Sequence, residues 1–304
     1  MIKPQKFTSR LASIEKVSSK VYLKRFELVE PREITFLSGQ TVMLQVAPGV
    51  NRSMSIASPP SEKTSIFVAH DVSPMGPYSQ WTIKARVGDE MHFIGPLGVF
   101  VLDRESPRKA VFIATGTGVS PFRSMILDAL GARVLPLAYP GNILVPHQPQ
   151  ESSSISTDRT SASSEPTFGM GSIRSGLRVA GSPSLVSPPR RALPDMVLYW
   201  GLRHEEDIFW QKEFEDLATK YPNFRFVLTL SQPPDAWPAS NALRSNAGWQ
   251  GKRGRVGDHV FADEQNLVGC DFYVCGSKEM VVDMTQQLLA KNVPKEQIKS
   301  ERFY

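Results

Sequence analysis

Cysteine is nearly absent from this chain of 304 residues: Cys270 and Cys275 are the only two. Two thiols make no disulfide framework. They are also too few for a four-cysteine iron–sulfur cluster or a four-cysteine zinc site within the chain. Such sparing use fits a reducing compartment, so a cytoplasmic location is expected. Long apolar runs are missing as well, and none reaches the roughly 20 residues that span a bilayer as a helix. The opening Met1-Ile2-Lys3-Pro4-Gln5-Lys6 lacks the apolar centre of a secretory signal. Charge of one sign is in only modest excess, at a net +5, with no basic stripe of the kind that tracks nucleic acid. That balance leaves room for an acidic protein partner. What remains, with 41% hydrophobic and 21% charged residues, is globular composition at a length that suits two domains.

Residues 1 to about 103 are β-rich. Lys20–Leu28 and Thr41–Val46 alternate apolar and polar residues at period two, and Ser65–Ala69 and Met91–Ile94 are further short strands. Their spacing predicts a small antiparallel barrel. One strand ends in unusual decoration, Arg52-Ser53-Met54-Ser55-Ile56-Ala57-Ser58 before Pro59-Pro60. Arginine presents a rigid fork of donors suited to a pyrophosphate. The Ser55 hydroxyl is able to donate to or accept from a ring nitrogen. Met75-Gly76-Pro77-Tyr78-Ser79 opens a short helix whose free N–H groups favour an anion, with Ser79 placed to cap it. Gly95-Pro96-Leu97-Gly98 is expected to be a turn.

The pattern changes after Lys109. Ala110–Ala114 is a continuous apolar run, as in a buried parallel strand. Thr115-Gly116-Thr117-Gly118-Val119-Ser120-Pro121 follows, then a helix from Phe122 to Leu130 with Pro121 in its first turn. Strand, glycine-rich loop and helix form a layout that holds phosphate-bearing ligands, although the spacing is not G-x-G-x-x-G. Residues 140–194 are rich in Ser and Pro and bury too little to order themselves, so they are expected to be a disordered insertion. The α/β alternation resumes with a strand at Met196–Trp200 and a helix over Glu205–Lys220, its apolar face made by Ile208, Phe209, Phe214 and Leu217. Phe224–Leu230 is the next strand, Gly251–Val256 a basic flexible stretch, and Cys270–Cys275 a last buried strand leading to the helix Lys278–Lys291.

Five short motifs therefore stand in one order: Arg52-Ser53-Met54-Ser55, Gly76-Pro77-Tyr78-Ser79, Thr115-Gly116-Thr117-Gly118-Val119-Ser120-Pro121, Cys275-Gly276, and the terminal Glu301-Arg302-Phe303-Tyr304. Together they resemble the ferredoxin–NADP(+) reductase family of flavoproteins over nearly the whole chain outside the insertion. The resemblance implies an antiparallel β-barrel flavin domain (residues 1–105) followed by an α/β doubly wound nucleotide-binding domain (106–304). It implies FAD held by Arg52, Ser53, Met54, Ser55, His70, Gly76, Pro77, Tyr78, Ser79, Phe303 and Tyr304. It implies NAD(P)H held by Thr115, Gly116, Thr117, Gly118, Pro121, Arg203, Ser231, Cys275 and Gly276. Ser55, Cys275 and Glu301 take the catalytic places, around hydride transfer between the nicotinamide and flavin N5. Lacking cluster cysteines, the chain would pass single electrons to a separate carrier: a ferredoxin, a flavodoxin or an oxygenase component.

Three departures qualify this. Met54 stands where the family usually has a tyrosine stacked on the flavin. The Glu-x-aromatic-aromatic terminus is similar to bacterial-type members, which leaves Phe303 or Tyr304 as the covering ring, with Phe303 preferred. Ser231 is followed by Gln232-Pro233-Pro234 rather than by the arginine that grips a 2′-phosphate, which favours NADH, although Lys252, Arg253 or Arg255 can supply charge. Plainer readings also exist: Cys275 as a small core residue, Glu301 as a solvated charge, the last aromatics as an edge seal. A non-catalytic flavin- or nucleotide-binding interaction module is the alternative function, suggested by Met54 and the insertion.

Overall fold

The computed structural model describes residues 2–73, 75–134, 144–145, 194–233 and 249–303. The insertion expected at 140–194 thus falls almost wholly outside the described residues, as does Tyr304.

Six strands form the first sheet: β1 (Gln5–Lys16), β2 (Val21–Glu30), β3 (Thr41–Ala47), β4 (Val50–Ser55), β5 (Ser65–Asp71) and β6 (Glu90–Leu97). All pairings are antiparallel, in the order β4-β3-β6-β1-β2-β5. The chain leaving β4 rolls this sheet towards closure: the Ala57 N–H donates to the Phe67 carbonyl at 2.7 Å, linking the two ends of the strand order. Alternation sorts side chains as period two requires. Phe26, Ile66 and Val68 enter the barrel core, while Val21, Leu23, Phe67 and Ala69 join the core of the second sheet. Both faces of β5 are therefore covered, which explains why Ile66–Ala69 is apolar throughout.

Helix α1 (Pro77–Lys84) crosses the barrel. Its cap is the Gly76 backbone with no side-chain bond, so the expectation that Ser79 caps it is corrected. Ser79 sits inside the first turn and its hydroxyl lies 3.1 Å from His70 Nε2. The turn expected from Gly95 is also corrected. Gly95 to Leu97 continue β6, because a side chain at Gly95 would meet Val42 Cγ1 at 2.8 Å and only glycine lets the strands close there. The turn begins at Gly98, with φ of 88°.

The second sheet is parallel. It contains β7 (Lys109–Thr115), β10 (Met196–Leu202), β11 (Phe224–Leu230), β12 (Lys252–Arg253), β13 (Cys270–Ser277) and β14 (Ile298–Phe303), in the order β12-β11-β10-β7-β13-β14. A two-residue hairpin of β8 (Arg133–Val134) and β9 (Leu144–Val145) lies between β7 and β10 in sequence. Helices α2 (Ser120–Ala129) and α3 (Gln211–Lys220) cover one face, and α4 (Val256–Asp263) and α5 (Lys278–Ala290) the other. The continuous apolar runs follow from this double cover: Phe112 packs towards α2, and its neighbours Val111 and Ile113 towards α5. Each such large buried side chain contributes roughly 1.5–3 kcal/mol.

Two expectations change here. The helix predicted from Glu205 begins as a single 3₁₀ turn (Glu205–Asp207), breaks, and restarts at Gln211. Ile208 and Phe209 therefore lie outside it. Phe209 sits edge-on to Trp200, whereas Trp210 turns to Phe67, and its φ of 55° breaks the helix between them. The stretch 251–256 is not a free loop: Lys252 and Arg253 pair with Thr229 and Leu230, and α4 starts at Val256.

Candidate active site

In an open parallel sheet, ligands bind beyond the carboxyl ends of the strands where the order of winding reverses. That point lies between β7 and β13, since the chain runs from β7 outward through β10 and returns to pair β13 on the other side. The predicted nucleotide residues gather at this edge. Thr115 ends β7 and its hydroxyl accepts the Ser277 N–H at 3.1 Å. Residues Gly116–Val119 form one 3₁₀ turn into α2, pinned by the Trp200 indole N–H donating to the Gly116 carbonyl at 3.0 Å. Gly116 has φ of 55° and open space beside its Cα, whereas Gly118 is pressed against the Cys275 carbonyl. Pro121 lies buried in the first turn of α2. Arg203 and Ser231 follow β10 and β11, both exposed, and the Ser231 and Gln232 N–H groups donate to the Leu202 and Arg203 carbonyls. Lys252 is engaged by Asp263 at 3.0 Å.

Cys275 and Glu301 are partners in register on β13 and β14, with Ala114 opposite Cys275 on the other side. The thiol is fully buried. Burial, and then the Glu301 charge, hold it well above the ordinary thiol range. It is therefore a neutral, polarisable group, suited to packing against a ring and not to nucleophilic attack. Across from it, Ser55 closes β4, and its hydroxyl donates to Glu301 Oε1 at 3.3 Å over a separation of 246 positions. Burial pushes the Glu301 carboxyl up from 4.5 to about 7, with the Ser55 hydrogen bond opposing.

The folded chain thus holds a proton on Glu301 that the unfolded chain has released. Its contribution to stability is full below about pH 4.5 and is lost as pH rises through about 7. Glu301→Gln should gain on the wild type over that window, read as urea midpoints of the apoprotein at pH 5 and pH 8. A difference between the two proteins that stays constant with pH contradicts this assignment.

The barrel residues divide into two groups. Arg52 and Ser53 are exposed on β4, and among the described residues the Arg52 guanidinium bonds only the Asn51 carbonyl, at 2.8 Å. Gly76 and Pro77 lie at the surface end of α1, where the first N–H groups have no side-chain cap. Met54, by contrast, is half-buried against the barrel core. Tyr78 points inward: it is buried, tilted against His70 at 4.4 Å and stacked on Trp81 at 5.6 Å. What Tyr78 offers a ligand is its backbone, not its ring. Burial and the neighbouring Lys24 charge pull His70 down to about 3, so it is a neutral partner of Ser79. The Phe303 backbone pairs with Ser277, and its side chain lies outside the described residues.

Sequence reasoning missed β14 as a strand, which is what carries Glu301 to Cys275. It also missed Ser277, which caps α5 by accepting the Met280 N–H, and Trp200 as the pin of the loop. No period-two signal was available for the strand: in Ile298-Lys299-Ser300-Glu301-Arg302-Phe303 four polar residues in a row separate two apolar ones that fall on opposite faces.

The donor set fits both cofactors. A helix start without a side-chain cap and an exposed guanidinium on β4 are both groups that suit a pyrophosphate. A buried Ser120 hydroxyl without a partner among the described residues and an open Gly116 both belong to the turn at the switch point. Barrel, parallel sheet and the serine–glutamate–thiol junction define a two-domain flavin- and nicotinamide-dependent oxidoreductase. Residues 8–102 match the family model of the oxidoreductase FAD-binding domain, and residues 190–286 that of the oxidoreductase NAD-binding domain. The chain belongs to the ferredoxin–NADP reductase family of FAD- and NAD(P)-binding oxidoreductases. It is 26% identical to ferredoxin–NADP reductase B of Sorangium cellulosum, over all of both chains. It is 23% identical to the 2-halobenzoate 1,2-dioxygenase electron transfer component of Burkholderia cepacia, over 99% of this chain and 69% of that one. The crystal structure of the Amycolatopsis cytochrome P450 reductase GcoB shares the fold, with a TM-score of 0.70 at 21% identity, over 99% of this chain and 70% of that one.

Proposed function

We propose that this chain draws electron pairs from a reduced nicotinamide nucleotide into FAD and releases them singly to a separate protein carrier. The observation that carries this reading is the Ser55–Glu301 hydrogen bond. It brings the end of a barrel strand to the edge of the parallel sheet beside Cys275. When bound, the nicotinamide and the flavin would supply the hydride donor and acceptor, and the chain's own residues would hold and orient them. Arg52 and the start of α1 would hold the FAD pyrophosphate, and the Ser55 hydroxyl would be available to the flavin ring. Cys275 would help to place the nicotinamide, and Glu301 holds a proton within hydrogen-bond reach of Ser55. We place the domain boundary between residues 105 and 106; that the first sheet ends at Leu97 and the second begins at Lys109 supports this reading.

The carrier is a ferredoxin, a flavodoxin or an oxygenase component, and an acidic one complements the net charge of +5. NADH is the preferred nucleotide: Gln232 takes the position of a 2′-phosphate arginine, and the Lys252 charge is already engaged. Among the described residues no helix is long and apolar enough to cross a membrane. Together with the two free, buried cysteines, that supports a cytoplasmic setting.

The test is anaerobic mixing with NADH beside NADPH. The purified protein should be yellow and should bleach with either nucleotide, faster with NADH. A colourless protein that FAD cannot reconstitute defeats the proposal. If FAD binds and neither nucleotide bleaches it, the alternative of a non-catalytic module takes its place.

Arg52→Ala should weaken FAD binding by about ten- to a hundredfold, the scale of one or two charge-assisted hydrogen bonds. The unfolding temperature of the apoprotein should not change, because the side chain bonds only its neighbour's carbonyl. Flavin retained through dialysis as in the wild type contradicts the role given to Arg52.

A further inference from the structure

A buried ion pair lies away from the reacting groups, and the mechanism above does not use it. Arg123, on α2, is 3% exposed and Glu213, on α3, is 2% exposed. The guanidinium donates to both carboxylate oxygens, from Nε at 2.8 Å and Nη2 at 2.7 Å. Its remaining edge turns to the other sheet: Nη1 donates to the Ala57 carbonyl at 2.7 Å. The faces of the guanidinium lie over the rings of Trp210 at 4.9 Å and Phe67 at 5.3 Å. One position on, the Ser124 hydroxyl donates to the Ser58 carbonyl at 2.7 Å. Consecutive residues of α2 thus hold consecutive carbonyls of the segment that follows Ser55.

A buried charge pair is poor evidence for stability, since apolar side chains of similar volume do as well or better. The arrangement does supply geometry. A planar fork bonded on every edge fixes direction, which a greasy contact does not. Helix α2 continues from the Gly116–Val119 turn at the switch point, and the carbonyls it grips lie two and three residues past Ser55. We infer that Arg123, seconded by Ser124, is a positioning residue that sets the distance between the flavin-facing end of β4 and the nucleotide-facing turn of the parallel sheet. The partners of Arg123 are Glu213, the Ala57 carbonyl and the rings of Trp210 and Phe67. Arg123 acts through the Ala57 carbonyl on Ser55, and through α2 on the loop. This rests on the proposed function above.

Misplacement of reacting groups by about 1 Å costs up to a hundredfold in rate, so loss of the clamp appears in the hydride step. Removing Arg123 alone strands a buried carboxylate, so the test uses Arg123→Met/Glu213→Met, which removes both charges and keeps bulk, with Ser124→Ala as a second arm. The wild type is assayed first: if it does not bind FAD or bleach with nucleotide, the functional reading fails, and the clamp is not what failed. With an active wild type, both variants should retain FAD. The double variant should lower the saturating rate of flavin reduction about tenfold, and Ser124→Ala about threefold. KM for the nucleotide should stay within twofold. The long-wavelength charge-transfer absorbance between flavin and nicotinamide should weaken in parallel. In the apoprotein, hydrogen exchange of residues 55–58 should quicken in Ser124→Ala. Wild-type rates and charge-transfer bands in the folded variants overturn the inference. If the double variant does not fold, Ser124→Ala decides alone: unchanged absorbance and exchange in it are sufficient to reject the clamp.

Discussion

Replacement of Cys275 by alanine is expected to slow reduction of bound FAD by NADH or NADPH about a hundredfold, while FAD affinity changes by less than about threefold. The thiol is buried between Ala114 on β7 and Glu301 on β14, at the carboxyl edge where a nicotinamide would enter. Burial and the adjacent carboxylate keep it protonated, so it lends no charge and accepts no proton. Its contribution is shape: one polarisable atom against which a ring can rest. Alanine removes that atom without disturbing the backbone, which Gly118 holds from behind. Anaerobic stopped-flow gives the rate, and flavin fluorescence on dilution gives the affinity. Equal losses in both quantities would mean that Cys275 is simply part of the core.

Gly118→Ala should do more damage than its single added carbon suggests. A Cβ there would stand 2.4 Å from the Cys275 carbonyl oxygen, 2.7 Å from its carbon and 2.7 Å from Gly276 Cα. All three are backbone of β13, so no side chain can swing aside. Either the 3₁₀ turn or the strand must move, at a cost of about 2–3 kcal/mol on the scale of an overpacked core. The turn and the strand carry the predicted nucleotide site and Cys275, so the saturating rate should fall with stability, by at least tenfold. Gly116→Ala is the comparison: nothing lies within 4 Å of its Cβ, and its φ of 55° asks only about 1–2 kcal/mol. Urea midpoints of the three proteins check the order. A Gly118→Ala midpoint equal to the wild type would show that the contact between turn and strand is loose.

Much of the fold was legible. Contiguous apolar runs at Ala110–Ala114 and Met196–Trp200 marked strands covered on both faces, because a buried parallel strand has no solvent side to record. Pro121 just after the glycine loop marked the start of α2. Less legible was whatever depended on which neighbour a face meets. Ile66–Ala69 is apolar on both faces although its sheet is antiparallel, because Phe67 and Ala69 abut the second domain's core. Tyr78 belongs to the Gly76-Pro77-Tyr78-Ser79 motif assigned to FAD by resemblance, yet its ring fills the barrel core. The break before α3 comes from Phe209 and Trp210 seeking partners in different directions, and helical periodicity alone does not register that conflict.

Taken by itself, the sequence determined most of the strands and helices and the types of chemistry at strand ends, and its ordered motifs carried the resemblance that implied the cofactor class. Each of these is written in runs of a few residues whose spacing reflects local backbone geometry and burial. Only the tertiary structure decided that Ser55, Cys275 and Glu301 share one place, that Glu301 holds its proton to about 7, and that Arg123 joins the two sheets. Those outcomes belong to pairs separated by tens to hundreds of positions. Local pattern records that a side chain is buried, but not which side chain the folded chain sets against it.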